Sequence, residues 1–224
     1  MSDFLFTLSK YKGAEASVTI PAYTNTVGER AFASKTSLEE VVFEEGCRGL
    51  DAEAFDCCKN LHSVALPKSL WRIGRGAFRN CTALESIAFP RELGTLDEEA
   101  FKGCANLRMV AATQKLRHIK RGCFEGCQRL EEFELPDGLK TLGARAFAGC
   151  SALTHLYIPE GIKVLEAGVF EGCTSLEEVI LPDTLQRIES RAFAGCTKLM
   201  QPPFPASLTS LASDAFLGVG EQQD

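Results

Sequence analysis

The sequence has 224 residues, of which 45% are hydrophobic, so it is long enough to bury a substantial core. Its formal net charge is −6 and its pI is about 5.3, a mildly acidic balance that argues against non-specific binding to nucleic acids or membrane surfaces. No apolar run reaches about 18 residues, and the N-terminus lacks the basic and apolar regions of a secretory signal, so we expect no membrane insertion and no signal peptide or anchor in this chain.

A repeat of 23 residues organises the chain. Three residues after most members of a phenylalanine column comes a cysteine, and six residues after comes a leucine. One unit of this length cannot bury its own apolar face, so we expect the units to stack and each column to become a buried ladder. The phenylalanines that define the period are Phe32, Phe55, Phe78, Phe101, Phe124, Phe147, Phe170, Phe193 and Phe216.

Within one unit, three elements follow in chain order, as residues 176–196 illustrate. Residues 176–181 predict a short strand with Val179 and Leu181 pointing into the core, and Pro182 ends it because proline has no N–H for the ladder. A second pair of apolar columns follows the proline. Residues 190–196 predict a single helical or 3₁₀ turn, and Gly195 suits a C-terminal cap with positive φ.

The stacking also predicts the state of the aromatic and cysteine columns. Strands about 4.8 Å apart place successive phenylalanine rings within ~4.5–7 Å of each other. Cysteines in register point the same way, whereas a disulfide needs facing Cβ atoms, so we expect buried free thiols that act as small apolar groups. Cys57 occupies a position that is glycine in other repeats, and we expect it to be exposed enough to oxidise. Reduced thiols favour a cytoplasmic location.

The string LEEVILPDTLQRIESRAFAGC at residues 176–196 resembles the BspA-like class of leucine-rich repeats, and the resemblance covers residues 18–219. It implies an α/β-type solenoid: a right-handed coil with a parallel β-sheet on the concave face, and short 3₁₀ or helical turns or short strands on the convex side. Members of this class are commonly bacterial or protist surface proteins that bind host proteins, matrix components or other cells. The resemblance therefore also allows a location at the cell surface.

The resemblance further implies one leucine-rich repeat domain over residues 1–224. Residues 4–8 and 18–21 resemble the cap strand and first partial repeat of the class, so residues 1–24 are assigned to the N-terminal cap. Tandem repeats occupy residues 25–217, and residues 218–224 form a polar tail. Two departures stand out: Ala112-Thr113 replaces a large apolar residue and proline, which predicts local loosening, and residues 201–204 break the strand pattern of the last repeat.

Motifs for catalysis or cofactor binding are missing from the sequence. The three histidines, His62, His118 and His155, fall on different columns of the repeat. The cysteine pairs at 57–58 and 123–127 lie two repeats, or at least ~14 Å, apart, which is too far for a shared structural zinc site. We expect no catalytic site, no cofactor and no metal.

The exposed strand positions are the predicted binding surface, because every repeat adds a neighbour to one sheet face. Its middle is small and apolar, its flanks are acidic, and aromatic residues on such a face are good anchors for a partner. The candidate partner-binding residues are Met109, Glu132, Glu134, His155, Tyr157, Glu178 and Ile180. A group of basic residues after the proline turns, including Arg72, Arg117 and Lys140, is a second candidate surface for an acidic partner.

Three classes of function are compared on the basis of the sequence. The favoured one is a non-catalytic protein-interaction module that binds a protein or cell-surface partner through the concave sheet face, as a monomer or with weak self-association. The alternative is a structural, surface-coat or adhesion protein whose repeats self-associate. An enzyme has no support in the sequence.

Overall fold

The computed structural model describes residues 6–220 and forms a β-solenoid of about nine turns whose strands pair in parallel. The strands fall into two ladders. The first ladder contains β2 (Ser17–Ile20), β4 (Glu40–Phe43), β6 (Ser63–Ala65), β8 (Ser86–Ala88), β10 (Met109–Ala111), β13 (His155–Tyr157) and β15 (Glu178–Ile180). The second ladder contains β1 (Phe6–Leu8), β3 (Thr24–Val27), β5 (Gly49–Leu50), β7 (Arg72–Ile73), β9 (Thr95–Leu96), β11 (His118–Ile119), β12 (Thr141–Leu142), β14 (Val164–Leu165), β16 (Arg187–Ile188) and β17 (Ser210–Leu211).

Strand register follows the predicted period of 23 residues. Val41 pairs with Val64 in the first ladder, and Leu50 pairs with Ile73 in the second. Because successive side chains of a strand point to opposite faces, the first ladder alternates between buried and exposed residues, as in β15, where only Val179 is buried. The predicted inward columns are confirmed.

The helical part of the expected fold is wrong, because residues 6–220 contain no α-helix and no 3₁₀-helix. The segment around Phe193 shows why. Arg191 and Gly195 both have positive φ, 57° and 73°, and a left-handed residue at every fourth position interrupts any right-handed helix. Its amides bond to the following repeat instead: the Phe193 N–H donates to the Ala215 carbonyl at 2.7 Å. Residues 190–195 form hydrogen-bonded turns, and the short strands expected as the other alternative lie earlier in the repeat, as at Arg187–Ile188.

The aromatic row is confirmed as a single interior stack. The nine phenylalanine rings of the period follow one another at centroid distances of 4.9–5.9 Å, the separation at which rings stack favourably. Tyr11 extends the row by one ring, since it stacks on Phe32 at 4.7 Å. Every ring from Phe32 to Phe193 is fully buried, so the row forms the centre of the core.

All ten cysteines are free thiols, and the in-register column is buried, as predicted. The column does more than fill space. Each thiol donates a hydrogen bond to the carbonyl of the phenylalanine 26 residues earlier, with Sγ–O distances of 3.0–3.3 Å. These bonds link each repeat to the one before it. The members are Cys58, Cys81, Cys104, Cys127, Cys150, Cys173 and Cys196.

Both ends of the solenoid depart from the regular repeat. Residues 6–8 pair with Thr24–Val27 in the second ladder. Phe4 and Leu5, which also belong to the predicted cap strand, lie outside the described residues. At the other end, residues 201–204 form no strand, as their prolines predict. Residues 221–224 of the expected polar tail also lie outside the described residues.

Candidate binding surface

The first ladder is interrupted at residues 131–135. Within residues 6–220, this segment joins the neighbouring repeats by a single bridge, Met109 to Glu132, and makes no other backbone–backbone hydrogen bond to them. At the same level the second ladder keeps one of its two pairings: β12 pairs with β11, whereas β14 belongs to a separate sheet with β16 and β17. A further gap in the first ladder separates β6 from β8. The stack of phenylalanine rings continues through this level, so the repeats stay stacked although residues 131–135 form no strand.

Two residues account for the interruption. Phe133 stands where other repeats have valine, isoleucine or leucine, and its ring packs against Phe124 and Phe147 at centroid distances of 5.1 and 5.2 Å. In the preceding repeat, Ala112 replaces a larger apolar side chain. We attribute the displaced row to this combination, since a packed core responds to a change of even one methylene in volume. The repeat that contains Ala112 keeps its strand β10, and the interruption lies in the next repeat, so the loosening predicted at Ala112 stays a prediction.

A cavity of about 460 Å³ opens beside the interrupted row, and we call it the gap cavity. Its size falls within the range of ~300–1,000 Å³ that is usual for ligand pockets. It is lined by residues 132–137 and 154–157, together with Gln114, Glu178 and Ile180. Six of the seven predicted site residues therefore lie around one cavity. Met109 does not line it: this side chain is 70% exposed on β10.

The apolar part of the gap cavity comes from two neighbouring strands. Tyr157 and Ile180 are paired residues of β13 and β15, and their side chains are 48% and 52% exposed. Between the exposed positions, Leu156 points inward and is buried. Phe133, which is also buried, lines the cavity from the interrupted row. The result is a shallow apolar trough across successive repeats.

The charged lining of the gap cavity has one sign. It consists of Glu132, Glu134, Asp137 and Glu178, and no lysine or arginine lines the cavity. Among the residues that the structure describes, none of these four carboxylates takes part in an ion pair. His155 faces the same space and shares a hydrogen bond of 3.0 Å with the Thr154 hydroxyl.

Carboxylates in the turns around the phenylalanines of the period differ from those of the gap cavity, because they pair with arginine or lysine. An unbroken series of ion pairs connects the repeats there, and sequence reasoning missed it because all partners except Glu99 and Lys102 lie 20–26 residues apart. One contact beside this series is bidentate: the Arg79 guanidinium donates to both oxygens of Asp56 at 3.0 and 3.1 Å, which raises the pKa of Arg79. The series runs through Arg30, Glu53, Arg79, Glu99, Lys102, Glu125, Arg145, Glu171 and Arg191.

The second candidate surface, the group of basic residues after the proline turns, is partly neutralised by ion pairs of the same kind. Arg72 and Lys120, from the repeats on either side, both pair with the buried carboxylate of Asp97. Arg117 and Lys140, by contrast, have no carboxylate partner within residues 6–220. Part of the basic group therefore stabilises contacts between repeats.

A second cavity, of about 320 Å³, continues the surface toward the C-terminus. It shares Glu178 and Ile180 with the gap cavity and adds residues 200–203. Met200 is 73% exposed there. Pro202 and Pro203 leave the outer edge of β15 without a paired strand, and these two prolines are the sequence signal for this extension.

The structure does not bring the histidines together, since His118 bonds to Thr141 in the second ladder and His155 lies in the first. In the described range 6–220, no cluster of three or more histidine, cysteine or acidic side chains is arranged to hold a metal ion. The same range contains no helix that is long and apolar enough to cross a bilayer.

Comparison with solved structures finds bacterial leucine-rich repeat proteins. A leucine-rich repeat protein of T. pallidum is 29% identical, with a TM-score of 0.64, over 86% of this chain and 82% of that one. A leucine-rich cell surface protein of Faecalibacterium prausnitzii is 21% identical, with a TM-score of 0.58, over 93% of this chain and 72% of that one. The second likeness shows the fold alone. A search of curated proteins finds no significant match.

A family model for the BspA-type leucine-rich repeat region, in six copies, matches residues 10–120 and 94–220. These two ranges together cover almost the whole chain, and they include the ladders, the aromatic row and the gap cavity. The chain belongs to the BspA-type leucine-rich repeat family.

Proposed function

We propose that this chain is a non-catalytic interaction module that binds a partner protein through the outer, concave face of the first ladder, at the gap cavity. Leucine-rich repeat proteins are generally protein-interaction or surface modules, and the F. prausnitzii relative is a cell surface protein. A repeat array supports this use because neighbouring rows build one extended surface.

One observation carries the proposal. At the gap cavity, exposed apolar side chains lie beside carboxylates that have no ion-pair partner in the described chain. A large exposed aromatic residue surrounded by a polar rim is the usual composition of a protein-binding hot spot. Tyr157 fits this description, with Ile180 as its neighbour on the next strand.

Affinity capture with matched variants tests the proposal. The wild-type chain is compared with a triple variant, Glu132→Ala, His155→Ala and Tyr157→Ala. We expect the partners that the wild type captures to be lost, because the variant removes the aromatic anchor and two of its polar neighbours. The proposal is wrong if every captured partner is retained.

The control triple variant changes the same residue classes elsewhere: His62→Ala, Glu85→Ala and Trp71→Ala. All three side chains are exposed, and none lines the gap cavity. This variant is expected to capture the same partners as the wild type. Thermal unfolding of both variants checks that neither has lost the fold.

A structural role with end-to-end self-association is the second candidate. It is favoured by exposed apolar side chains near the C-terminal end, Met200, Phe204 and Leu217. It predicts a molecular mass that rises with concentration in light scattering, and a reduced rise in a Met200→Ser, Leu217→Ser double variant. A constant monomer mass would exclude it.

A further inference from the structure

We infer that the gap cavity takes an extended segment of the partner in which a lysine or arginine is flanked by apolar side chains. This inference rests on the proposed function, which places the partner at the gap cavity, and it adds the chemistry that the cavity selects. Three properties of the cavity lead to it: its charge, its apolar wall and its shape.

The charge of the cavity calls for a cation from outside the chain. Glu132, Glu134 and Glu178 are exposed and converge on one space without a basic neighbour in the lining. Near the turns the same chain joins Glu53, Glu99, Glu125 and Glu171 to arginine or lysine. A cationic side chain that enters the cavity can pair with these carboxylates, and this charge complementarity favours a basic partner segment over an acidic one.

The apolar wall selects what surrounds the cation. Tyr157 offers an exposed ring, over which an ammonium or guanidinium group is attracted by the ring quadrupole. The methylene stem of lysine or arginine packs on apolar surface while its charged head stays beside the rim. Ile180 and Phe133 give the flanking residues of the segment an apolar contact. An acidic segment, or one with only charged side chains, would not make these apolar contacts.

The shape of the cavity sets the conformation of the segment. The lining spans three successive repeats, in which Glu134, Tyr157 and Ile180 occupy the same position of the 23-residue period. Tyr157 and Ile180 are also paired residues of neighbouring strands. Two row spacings amount to about 10 Å, which is the length of about three residues of extended chain. A tripeptide unit with the cation at its centre therefore matches the trough.

Nuclear magnetic resonance titration of the whole chain with three capped tripeptides tests the inference. The probes are isoleucine–lysine–isoleucine, the same peptide with norleucine in place of lysine, and the same peptide with glutamate. The lysine probe is expected to shift the amide signals of His155, Tyr157 and Ile180. It should bind about tenfold more tightly than the norleucine probe, and the glutamate probe should not bind.

Variants of the carboxylates separate charge recognition from simple apolar binding. In the triple variant Glu132→Gln, Glu134→Gln and Glu178→Gln, the lysine probe is expected to lose its advantage, while the norleucine probe binds as before. The control, Glu39→Gln with Glu85→Gln, changes exposed carboxylates outside the cavity and should leave both affinities unaltered.

Three results overturn the inference: no shifts with the lysine probe, equal affinity of the lysine and norleucine probes, or shifts centred on another part of the chain. These results are distinguishable from a failure of the proposed function. If the triple variant of the capture experiment still loses the partner while the probes show no preference for lysine, only the inferred chemistry is wrong. If the triple variant retains every partner, both proposals fall.

Discussion

At the residue scale, the second residue after each phenylalanine of the period occupies a backbone position that favours glycine. Six repeats place glycine there with φ of 72–76°, as at Gly103 and Gly195, whereas Cys57 adopts the same left-handed conformation with φ of 59°. A residue with a Cβ atom is strained there by about 1–2 kcal/mol. The glycine pattern was readable from the sequence, and the structure confirms its cause.

Replacing Cys57 by glycine is therefore expected to stabilise the fold. Relief of the left-handed strain exceeds the ~0.4–1 kcal/mol lost through the greater freedom of glycine in the unfolded chain, so the free energy of unfolding should rise by about 0.5–1 kcal/mol. Urea unfolding of Cys57→Gly measures this change. The control Cys57→Ala keeps the strain and should give no gain; a glycine variant less stable than the wild type would contradict the explanation.

A second left-handed position, two residues before each phenylalanine, has a weaker signal in the sequence, since glycine occupies it in three repeats, at Gly76, Gly122 and Gly168. Arginine and glutamate occupy it in several repeats, for example Arg30, Glu53 and Arg191, and neither residue type marks positive φ. For this reason the turn was predicted to be helical. The backbone conformation there follows from bonds between repeats, such as the Arg30 N–H to the Ala52 carbonyl at 3.0 Å, and not from local propensity.

At the scale of elements, the strands and their inward columns were predictable because the 23-residue period fixes which residues share a ladder. The gap cavity was not. The sequence showed that Ala112-Thr113 departs from the repeat pattern. It also identified nearby exposed strand positions with apolar, aromatic and acidic side chains as the predicted binding surface. The loss of pairing at 131–135, however, depends on how Phe133 packs against two rings of the core, and such packing cannot be derived from a pattern.

Substituting valine for Phe133 is expected to restore the regular row. Valine is the residue found at this position in several other repeats, as at Val110 and Val179, and removing the ring lets residues 131–135 approach β10 and β13. Amide hydrogen exchange of residues 131–135 should slow down as ladder bonds form. The loss of the buried ring costs about 1–3 kcal/mol of unfolding free energy, which the new pairing offsets in part.

The control for this substitution is Leu156→Val, a similar truncation in the intact strand β13. It should lower stability without slowing exchange anywhere in the first ladder. If Phe133→Val leaves exchange at 131–135 as fast as in the wild type, the phenylalanine is not the cause of the interruption.

At the scale of the whole molecule, the cysteine column makes stability depend on pH. Burial raises the pKa of the Cys58 and Cys104 thiols to about 12, and it also raises the pKa of Cys81 and Cys127. Thiols of the unfolded chain ionise near pH 8.5. Between these values the folded state holds more protons than the unfolded state, so stability is complete below about pH 8.5 and is lost as pH rises.

Alkaline conditions should therefore unfold the protein. Each buried thiol lowers the free energy of unfolding by about 1.4 kcal/mol per pH unit above its unfolded pKa, and several act together. The midpoint of thermal unfolding is expected to fall steeply between about pH 8 and about pH 10. A Cys104→Ala variant should show a shallower fall, because one titrating group is removed. A midpoint that is constant over this range would contradict the burial of the thiols.

The proposed binding site depends on an interruption of the first ladder at residues 131–135, at a level where β11 and β12 of the second ladder remain paired. Hydrogen exchange of the unmodified protein, resolved to single amides, measures this difference most directly. Residues 131–135 should exchange fast, while Ile119 and Leu142, at the same level of the stack, should exchange slowly. Equal protection of the two ladders at this level would mean that the first ladder is closed and that the gap cavity does not exist.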